Sequence, residues 1–172
     1  MSTMKILAGL VSITILLLYF IGTVYLIRKY DGFRVFYNGL NKIFTYQGRA
    51  RRTEYACFAC LVMAITIIID EIFSLLNNPP EIILLLITLI FSLSKVAVTT
   101  RRLHDLGYSG WLQVPIVIIN MYSYTDISNE NYNYFGFIIL LIVTFSFDLY
   151  LMFKQGQPLD NQYGEEPKDE VI

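Results

Sequence analysis

Polar residues that could do chemistry gather in one short run between two apolar segments. Residues 99–111 contain the only histidine of the chain, His104, and its only tryptophan, together with Arg101, Arg102 and Asp105. A histidine beside a carboxylate is the arrangement of a general base with its orienting partner. Adjacent side chains on a helix, however, point about 100° apart, so the sequence argues against a direct catalytic dyad.

The same run offers a candidate ion pair and a candidate anion site. Arg101 and Asp105 are four residues apart, so on a helix we expect them to meet as a surface ion pair worth roughly 0.3–0.5 kcal/mol. Gly107, Ser109 and Gly110 follow, and exposed backbone amides beside guanidinium groups suit a phosphate or a carboxylate. The residues alone leave both the structural and the anion-binding interpretation open.

Cys57 and Cys60 form a CxxC pattern, which in a soluble chain suggests zinc or redox chemistry. A structural zinc ion needs four ligands, whereas the only histidine lies elsewhere and the residues flanking the cysteines are apolar. We therefore expect two small packing residues, no disulfide, no metal and no cofactor.

The elements that must position these residues are membrane helices. The chain has 172 residues, of which 55% are hydrophobic and 16% charged, and its mean hydropathy is +0.53. Soluble domains carry roughly 25% charged residues, so this composition indicates an integral membrane protein. The net charge of -1 gives no reason to expect nucleic acid as a partner.

Four apolar segments are long enough to cross a bilayer, and one more is short. The four cover residues 6–27, 56–76, 82–100 and 135–153, and a helix of about 20 residues spans a hydrocarbon core of about 30 Å. The short segment, residues 110–124, contains Pro115 and crosses only if it is tilted or the bilayer is thinned. We predict an all-α, polytopic membrane helix bundle with four to five transmembrane helices.

The distribution of basic residues predicts the orientation, because short cytoplasmic loops carry the excess of lysine and arginine. The outer loops of a five-helix arrangement, residues 77–81 and 125–134, contain no basic residue. Five crossings with the N-terminus outside and the C-terminus in the cytoplasm satisfy every loop. Eleven of the 13 basic residues then lie inside: Arg28, Lys29, Arg34, Lys42, Arg49, Arg51, Arg52, Arg101, Arg102, Lys154 and Lys168.

The cytoplasmic stretch between the first two long helices mixes cations with rings. Residues 28–55 include seven basic side chains, interleaved with Phe33, Phe36, Tyr37, Phe44 and Tyr46. Next to a membrane helix, this pattern favours membrane lipids, anionic ones in particular, over single-stranded nucleic acid as the partner. The sequence leaves protein partners and oligomeric state open.

Lys95 and Asp148 are charged residues within apolar segments, and such residues are functional candidates by default. Lys95 precedes Arg101 by about 9 Å of helix, and its long stem could reach the inner interface or Asp148. We predict an intramembrane pair between the two. The alternative is that each charge reaches water independently.

Two further motifs complete a recognisable pattern. Residues 48–55 read GRARRTEY before the second long helix, and residues 156–167 read GQPLDNQYGEEP after the last one. Together with AVTTRRLHDLGYSGW at residues 97–111, they resemble the domain of unknown function 805 family of small bacterial inner-membrane proteins, whose pattern includes RRLHDxGxSGW. The resemblance implies a multi-pass protein of the bacterial inner (cytoplasmic) membrane, and it implies no activity.

We accordingly divide the chain into three parts: an N-terminal transmembrane anchor with an interfacial linker (residues 1–43), a membrane domain resembling this family (44–167) and a short polar tail (168–172). The expected topology brings all three motifs to the cytoplasmic face. We predict one composite basic site there, which either binds an anionic lipid headgroup or another phosphate-bearing ligand, or locks the helices together. Its residues are Arg49, Arg52, Arg101, Arg102, His104, Asp105, Asn161 and Tyr163.

Three classes of function remain, and the sequence favours them in the following order. A binding or structural membrane protein needs only the cytoplasmic face just described. A small transporter or channel component needs a polar path through the bilayer. An enzyme acting on lipid-linked phosphate needs a metal-ligand cluster or an activated nucleophile, and we assign no catalytic residue.

Overall fold

The structure, a computed structural model, describes residues 3–75, 81–118 and 133–167. These residues form no β-strand, so the prediction of an all-α fold is confirmed. A turn of 3-10 helix at Gly110–Gln113 continues as helix over residues 114–118. The α-helices are α1 (Thr3–Tyr30), α2 (Gly32–Asn41), α3 (Arg52–Ser74), α4 (Glu81–Asp105) and α5 (Tyr134–Phe153).

Four of these helices are long and apolar enough to cross a membrane: α1, α3, α4 and α5. The predicted multi-pass helix bundle is therefore confirmed. The additional short segment, residues 110–124, is described only as far as residue 118, and its remainder lies outside the described residues. The same holds for most of the expected outer loops and for the tail after residue 167.

Large apolar side chains cover the outside of the long helices. Leu10 and Phe20 on α1, Leu85 on α4 and Phe135 on α5 are each more than half exposed. A helix on the surface of a soluble protein turns polar residues outward, whereas lipid tails solvate apolar ones. These faces therefore form the lipid-facing surface of the bundle.

The amphipathic helix α2 lies within residues 28–55, which the sequence predicted to lie at the membrane interface without assigning a helix. It begins after Asp31, whose left-handed backbone (φ 47°) breaks the chain away from α1. On its buried side the ring of Phe36 stacks on Phe58 of α3 at 5.3 Å, and a side chain at Gly39 would collide with Phe58. Its aromatic residues Phe33 and Tyr37 are 59% and 64% exposed.

The start of α3 and the ends of α4 and α5 meet at one end of the bundle. Arg101 near the end of α4 is bonded to Glu54 in the first turn of α3, and Arg102 donates to the carbonyl of Leu151 near the end of α5. We call this region, residues 48–55, 101–113 and 154–167, the basic end. The largest fully buried side chains lie within this region or next to it. They include Arg102, Tyr55, Phe58, Leu103 and Leu151.

Candidate functional site

Asp105, the last residue of α4, is the centre of the basic end. The residue is 4% exposed. Its carboxylate accepts hydrogen bonds from Arg49 Nε at 2.9 Å and from Arg102 Nη1. Two buried guanidinium groups thus share one carboxylate. A buried cation is tolerated only when its remaining donors also have acceptors.

Backbone carbonyls supply those acceptors. Arg49 donates to the carbonyl of Gln157 at 2.5 Å and to that of Leu159 at 2.6 Å. Arg102 donates from Nε to the carbonyl of Leu151 at 2.8 Å and from Nη2 to that of Lys154. All nitrogens of both guanidinium groups are therefore bonded within the protein, and together they fix the segment after α5 against the end of α4.

Two glycines let this segment approach α4. A side chain at Gly156 would collide with the carboxylate of Asp105, and one at Gly107, where φ is +82°, would collide with Gln157. The amide of Gln157 donates to the carbonyl of Asp105 at 2.8 Å. The glycine turn after α4 thus receives the C-terminal segment in the position where the sequence suggested an anion.

His104 is held by the same segment. Its ring stacks on Tyr163 with centroids 3.9 Å apart and planes 2° from parallel, and Asn161 Nδ2 donates to the backbone carbonyl of His104 at 2.9 Å. Nδ1 lies 3.2 Å from the carbonyl oxygen of Gly48. Because a carbonyl only accepts, Nδ1 carries the proton of that bond. His104 and Asp105 therefore have separate partners and form no dyad.

The predicted ion pair between Arg101 and Asp105 is wrong. Arg101 Nη1 donates instead to Glu54 Oε1 at 2.6 Å, and Asp105 is bound by Arg49 and Arg102. The two residues are also buried, at 2% and 4% exposure, and form no surface pair. Asp105 turns toward Arg102 three residues earlier, whereas Arg101 points about 100° away from Arg102, toward α3.

One edge of the Arg101 guanidinium has no acceptor. Nε and Nη2 are the buried side-chain polar atoms without a hydrogen-bond partner in the part of the chain that the structure describes. These two nitrogens form one edge of a planar fork, the geometry that binds a carboxylate or a phosphate through two parallel hydrogen bonds. A buried group of this kind requires an explanation such as a bound ion or water.

The unpartnered edge lies at the N-terminus of α3, because Arg101 is bonded to Glu54 in the first turn of that helix. The N-cap residue, Arg51, gives α3 no side-chain cap, and the first amides of a helix have no acceptor within the helix. Arg52, the first residue of α3, is exposed at this point. The helix terminus, Arg52 and Arg101 all contribute positive potential at one place.

Asp148 on α5 is a second polar centre, at the level of the apolar segments. Lys95 Nζ lies 2.9 Å from Asp148 Oδ2, so the structure brings the two predicted partners together. Tyr19 and Tyr55 each donate a hydroxyl hydrogen bond to the same carboxylate at 2.5 Å. We name Tyr19, Tyr55, Lys95 and Asp148 the carboxylate clamp, because it joins α1, α3, α4 and α5.

The predicted composite site thus divides into three parts. Arg52 is exposed at the start of α3, and Arg101, which is bonded to Glu54 in the same first turn, keeps an unpartnered edge. The remaining residues form one internal network with the C-terminal segment, which we call the tail lock: Arg49, Arg102, His104, Asp105, Asn161 and Tyr163.

Sequence analysis missed four residues that contribute to these contacts: Glu54, Tyr19, Tyr55 and Arg51, whose Nη2 donates to the carbonyl of Pro167 at 2.5 Å. The motif GRARRTEY drew attention to its arginines and gave no partner for its glutamate. Cys57 and Cys60 are free and buried, and residues 3–75, 81–118 and 133–167 contain no group of three metal-ligating side chains.

The three motifs that meet at the basic end lie within one family match. Residues 43–165, well over half of the chain, match the family described as "Protein of unknown function (DUF805)". Searches among curated proteins and among solved structures gave no match. The chain is therefore a multi-pass membrane protein, by its four long apolar helices, and belongs to the DUF805 family of proteins of unknown function.

Proposed function

We propose that this protein is a non-catalytic binding protein of the bacterial inner membrane, which holds a phosphate group of an anionic lipid headgroup, or of another phosphate-bearing ligand, at its basic end. The unpartnered edge of Arg101 carries the proposal. Leaving a buried hydrogen-bonding group without a partner costs roughly 1–3 kcal/mol, and more when the group is charged. A phosphate that filled this edge would remove that cost.

The surroundings of Arg101 suit such a ligand. Two oxygens of a phosphate would accept from Nε and Nη2, and the amides that begin α3 would point toward the remaining oxygens. Arg52 would add a cation at the mouth of the site. Because Nη1 of Arg101 already donates to Glu54, the ligand would bind beside this carboxylate. Arg52 and Arg101 would offset the negative charge of the ligand.

The other predicted residues act as the tail lock in this proposal. Every nitrogen of the Arg49 and Arg102 guanidinium groups already donates within the protein, and the rings of His104 and Tyr163 stack on each other. Because Arg102 is anchored to α5 and to Asp105, the end of α4 is fixed and Arg101 is held in place beside α3. Binding and locking are thus two roles of neighbouring residues.

We place the basic end in the cytoplasm, with five crossings, the N-terminus outside and the C-terminus inside. Support comes from the positive charges of the loops, which concentrate on this side. Arg34 and Lys42 flank the exposed rings of α2, and such a surface attracts anionic lipids. Anionic lipid would thereby be enriched around the proposed site.

The alternatives find less support. A small transporter or channel component needs a polar path, whereas the polar groups of the carboxylate clamp are bonded to one another. An enzyme acting on lipid-linked phosphate needs an activated group, but Nδ1 of His104 is committed to a backbone carbonyl and its ring is stacked.

The test compares two substitutions of Arg101 in the full chain, embedded in nanodiscs of phosphatidylcholine doped with phosphatidic acid. Arg101→Lys retains the charge and loses the planar fork, whereas Arg101→Ala loses both. We expect both variants to bind about tenfold or more weakly, since hydrogen bonds to charged groups are worth about 1.5–3 kcal/mol. Native mass spectrometry counts the retained lipid, and inorganic phosphate replaces it in a parallel series.

The matched control is Arg34→Ala, because Arg34 is an exposed arginine on α2 and reports generic attraction to anionic lipid. Retention by Arg101→Lys at the wild-type level would contradict the proposal. So would an equal loss in Arg34→Ala and Arg101→Ala. Retention of free phosphate alone would identify the ligand as a soluble phosphate compound and not a lipid.

A further inference from the structure

A cavity of about 400 Å³ lies along the face of α4 that carries Val96, Thr100 and His104. It shares His104 with the tail lock, and Arg101 of the proposed phosphate site does not line it. It opens between α4, the loop that precedes α3 and the 3-10 turn after α4. Sites for small molecules occupy about 300–1,000 Å³. The cavity therefore has room for one compact polar group.

Gln113 presents a hydrogen-bond acceptor to this cavity. Its Nε2 lies 2.7 Å from Thr100 Oγ1, which itself donates to Val96, and 3.2 Å from the carbonyl of Gly110. Because these partners accept from it, the orientation of the amide is fixed. The oxygen Oε1 is then left without a partner among the described residues.

His104 supplies a second acceptor at the cavity wall. In the tautomer whose Nδ1 proton faces Gly48, the other ring nitrogen, Nε2, carries a lone pair. Two rings lie at the rim, where Tyr46 is 39% and Trp111 79% exposed. The site thus combines unpartnered acceptors with aromatic faces.

The charge around the cavity selects the kind of donor that fits. Among the described residues, no arginine, lysine, aspartate or glutamate lines it, so neither an anion nor a cation finds a counter-charge from them. The neighbouring basic end carries six cationic side chains and five carboxylates: Arg49, Arg51, Arg52, Arg101, Arg102 and Lys154 against Glu54, Asp105, Asp160, Glu165 and Glu166. The resulting positive excess disfavours an ammonium group and leaves neutral hydroxyls as the matching donors.

We infer that this cavity binds a neutral, hydroxyl-rich group, a glycosyl or glycerol unit, whose hydroxyls donate to Gln113 and His104. The apolar face of the unit stacks on the rings at the rim. Trp111 is the single tryptophan of the chain, so its fluorescence reports occupancy directly. The site is separate from the phosphate site at the start of α3, and either can exist without the other.

The experiment titrates the full chain in phosphatidylcholine nanodiscs with monoglucosyl diacylglycerol and follows Trp111 emission, with native mass spectrometry as the second readout. Glucose and glycerol are titrated separately. We expect saturable binding that weakens about two- to tenfold in Gln113→Leu, because the one neutral hydrogen bond that is lost is worth about 0.5–1.5 kcal/mol.

A second variant guards against misfolding in Gln113→Leu. Val114→Phe fills the cavity from its wall and keeps Gln113, so it should also abolish binding. Its matched control is Val117→Phe, one helical turn further on and outside the cavity lining, which should bind like wild type.

Saturation by the glycolipid alone would identify a lipid headgroup, whereas equal saturation by glucose or glycerol would identify a soluble polyol, and both support the inference. Absence of saturable binding would overturn it. So would wild-type affinity in Val114→Phe, or tighter binding of phosphatidylserine than of the glycolipid, because the site would then recognise charge.

Discussion

Replacing Asp148 tests whether the carboxylate clamp holds the four long helices together. Asp148→Leu replaces the carboxylate with an apolar side chain and removes the acceptor of three hydrogen bonds. The side chain of Lys95 is 38% exposed and can turn to the interface, so its loss costs about 1 kcal/mol. Tyr55 and Tyr19 are 0% and 5% exposed and cannot do so.

Each tyrosine hydroxyl that loses its acceptor costs about 1 kcal/mol of unfolding free energy. This is at the low end of the cost of an unsatisfied buried polar group in soluble proteins, and it is close to the roughly 0.6–1.7 kcal/mol measured for hydrogen bonds in membrane proteins. We therefore expect Asp148→Leu to lower the free energy of unfolding by about 3 kcal/mol. Lys95→Met should cost only about 1 kcal/mol, because Asp148 keeps both tyrosine donors.

The double variant gives the sharper result. Once Asp148 is leucine, Lys95 has no partner, so adding Lys95→Met should cost nothing more, and the coupling free energy should be about 1 kcal/mol. Equilibrium unfolding in mixed micelles, followed by circular dichroism, measures all four proteins. Thr144→Val is the control, because its hydroxyl bonds only to carbonyls of its own helix.

Two outcomes would refute this account of the clamp. Equal costs for Lys95→Met and Asp148→Leu would show that the tyrosine hydroxyls contribute nothing. Strictly additive losses in the double variant would show that Lys95 and Asp148 do not interact, and that each reaches water independently.

Three more predictions concern orientation, backbone and tail. In a cysteine-free background, a cysteine at Asn129 should be labelled from outside and one at Lys168 should not; outside labelling at Lys168 would refute five crossings. Gly156→Ala should lower the free energy of unfolding, measured by thermal unfolding, by more than about 2 kcal/mol, because the new methyl group would collide with Asp105. Gly9→Ala is the control and should not lower it, because the space around Gly9 is open. Tyr163→Ala should speed tryptic cleavage of the C-terminal segment severalfold and Tyr163→Phe, which keeps the stacked ring, should not; equal rates would exclude stacking as the cause.

The parts of the fold that depend on local composition could be predicted from the sequence. Helices α1, α3, α4 and α5 follow from long apolar runs, because the hydrocarbon layer admits only backbone that bonds within its own segment. The proximity of Lys95 and Asp148 also follows from a physical constraint, since both charges lie at similar distances from the ends of their segments. Both inferences need only hydropathy and helix geometry.

Contacts between distant segments could not be predicted in the same way. Tyr19 lies 129 residues before Asp148, and an isolated tyrosine in an apolar helix carries no signal of its partner. Arg101 and Asp105 had the spacing of an ion pair, yet tertiary partners on α3, on the C-terminal segment and on Arg49 outweighed a local pair of low energy. Two of the acceptors of Arg49 are backbone carbonyls. Because every residue has a carbonyl, residue type does not predict these contacts.

The position of Asp148 on the last helix has a consequence for biosynthesis. Membrane helices are inserted in the order in which the ribosome makes them, so α1, α3 and α4 enter the bilayer while the acceptor for Tyr19, Tyr55 and Lys95 has yet to be translated. Arg49 and Arg102 gain some of their partners even later, because the carbonyls of Leu159 and Lys154 follow α5 in the chain. Assembly is therefore completed only after synthesis has reached the end of the family region, and a prematurely terminated chain would expose unpaired polar groups by which membrane proteases could distinguish it from a finished one.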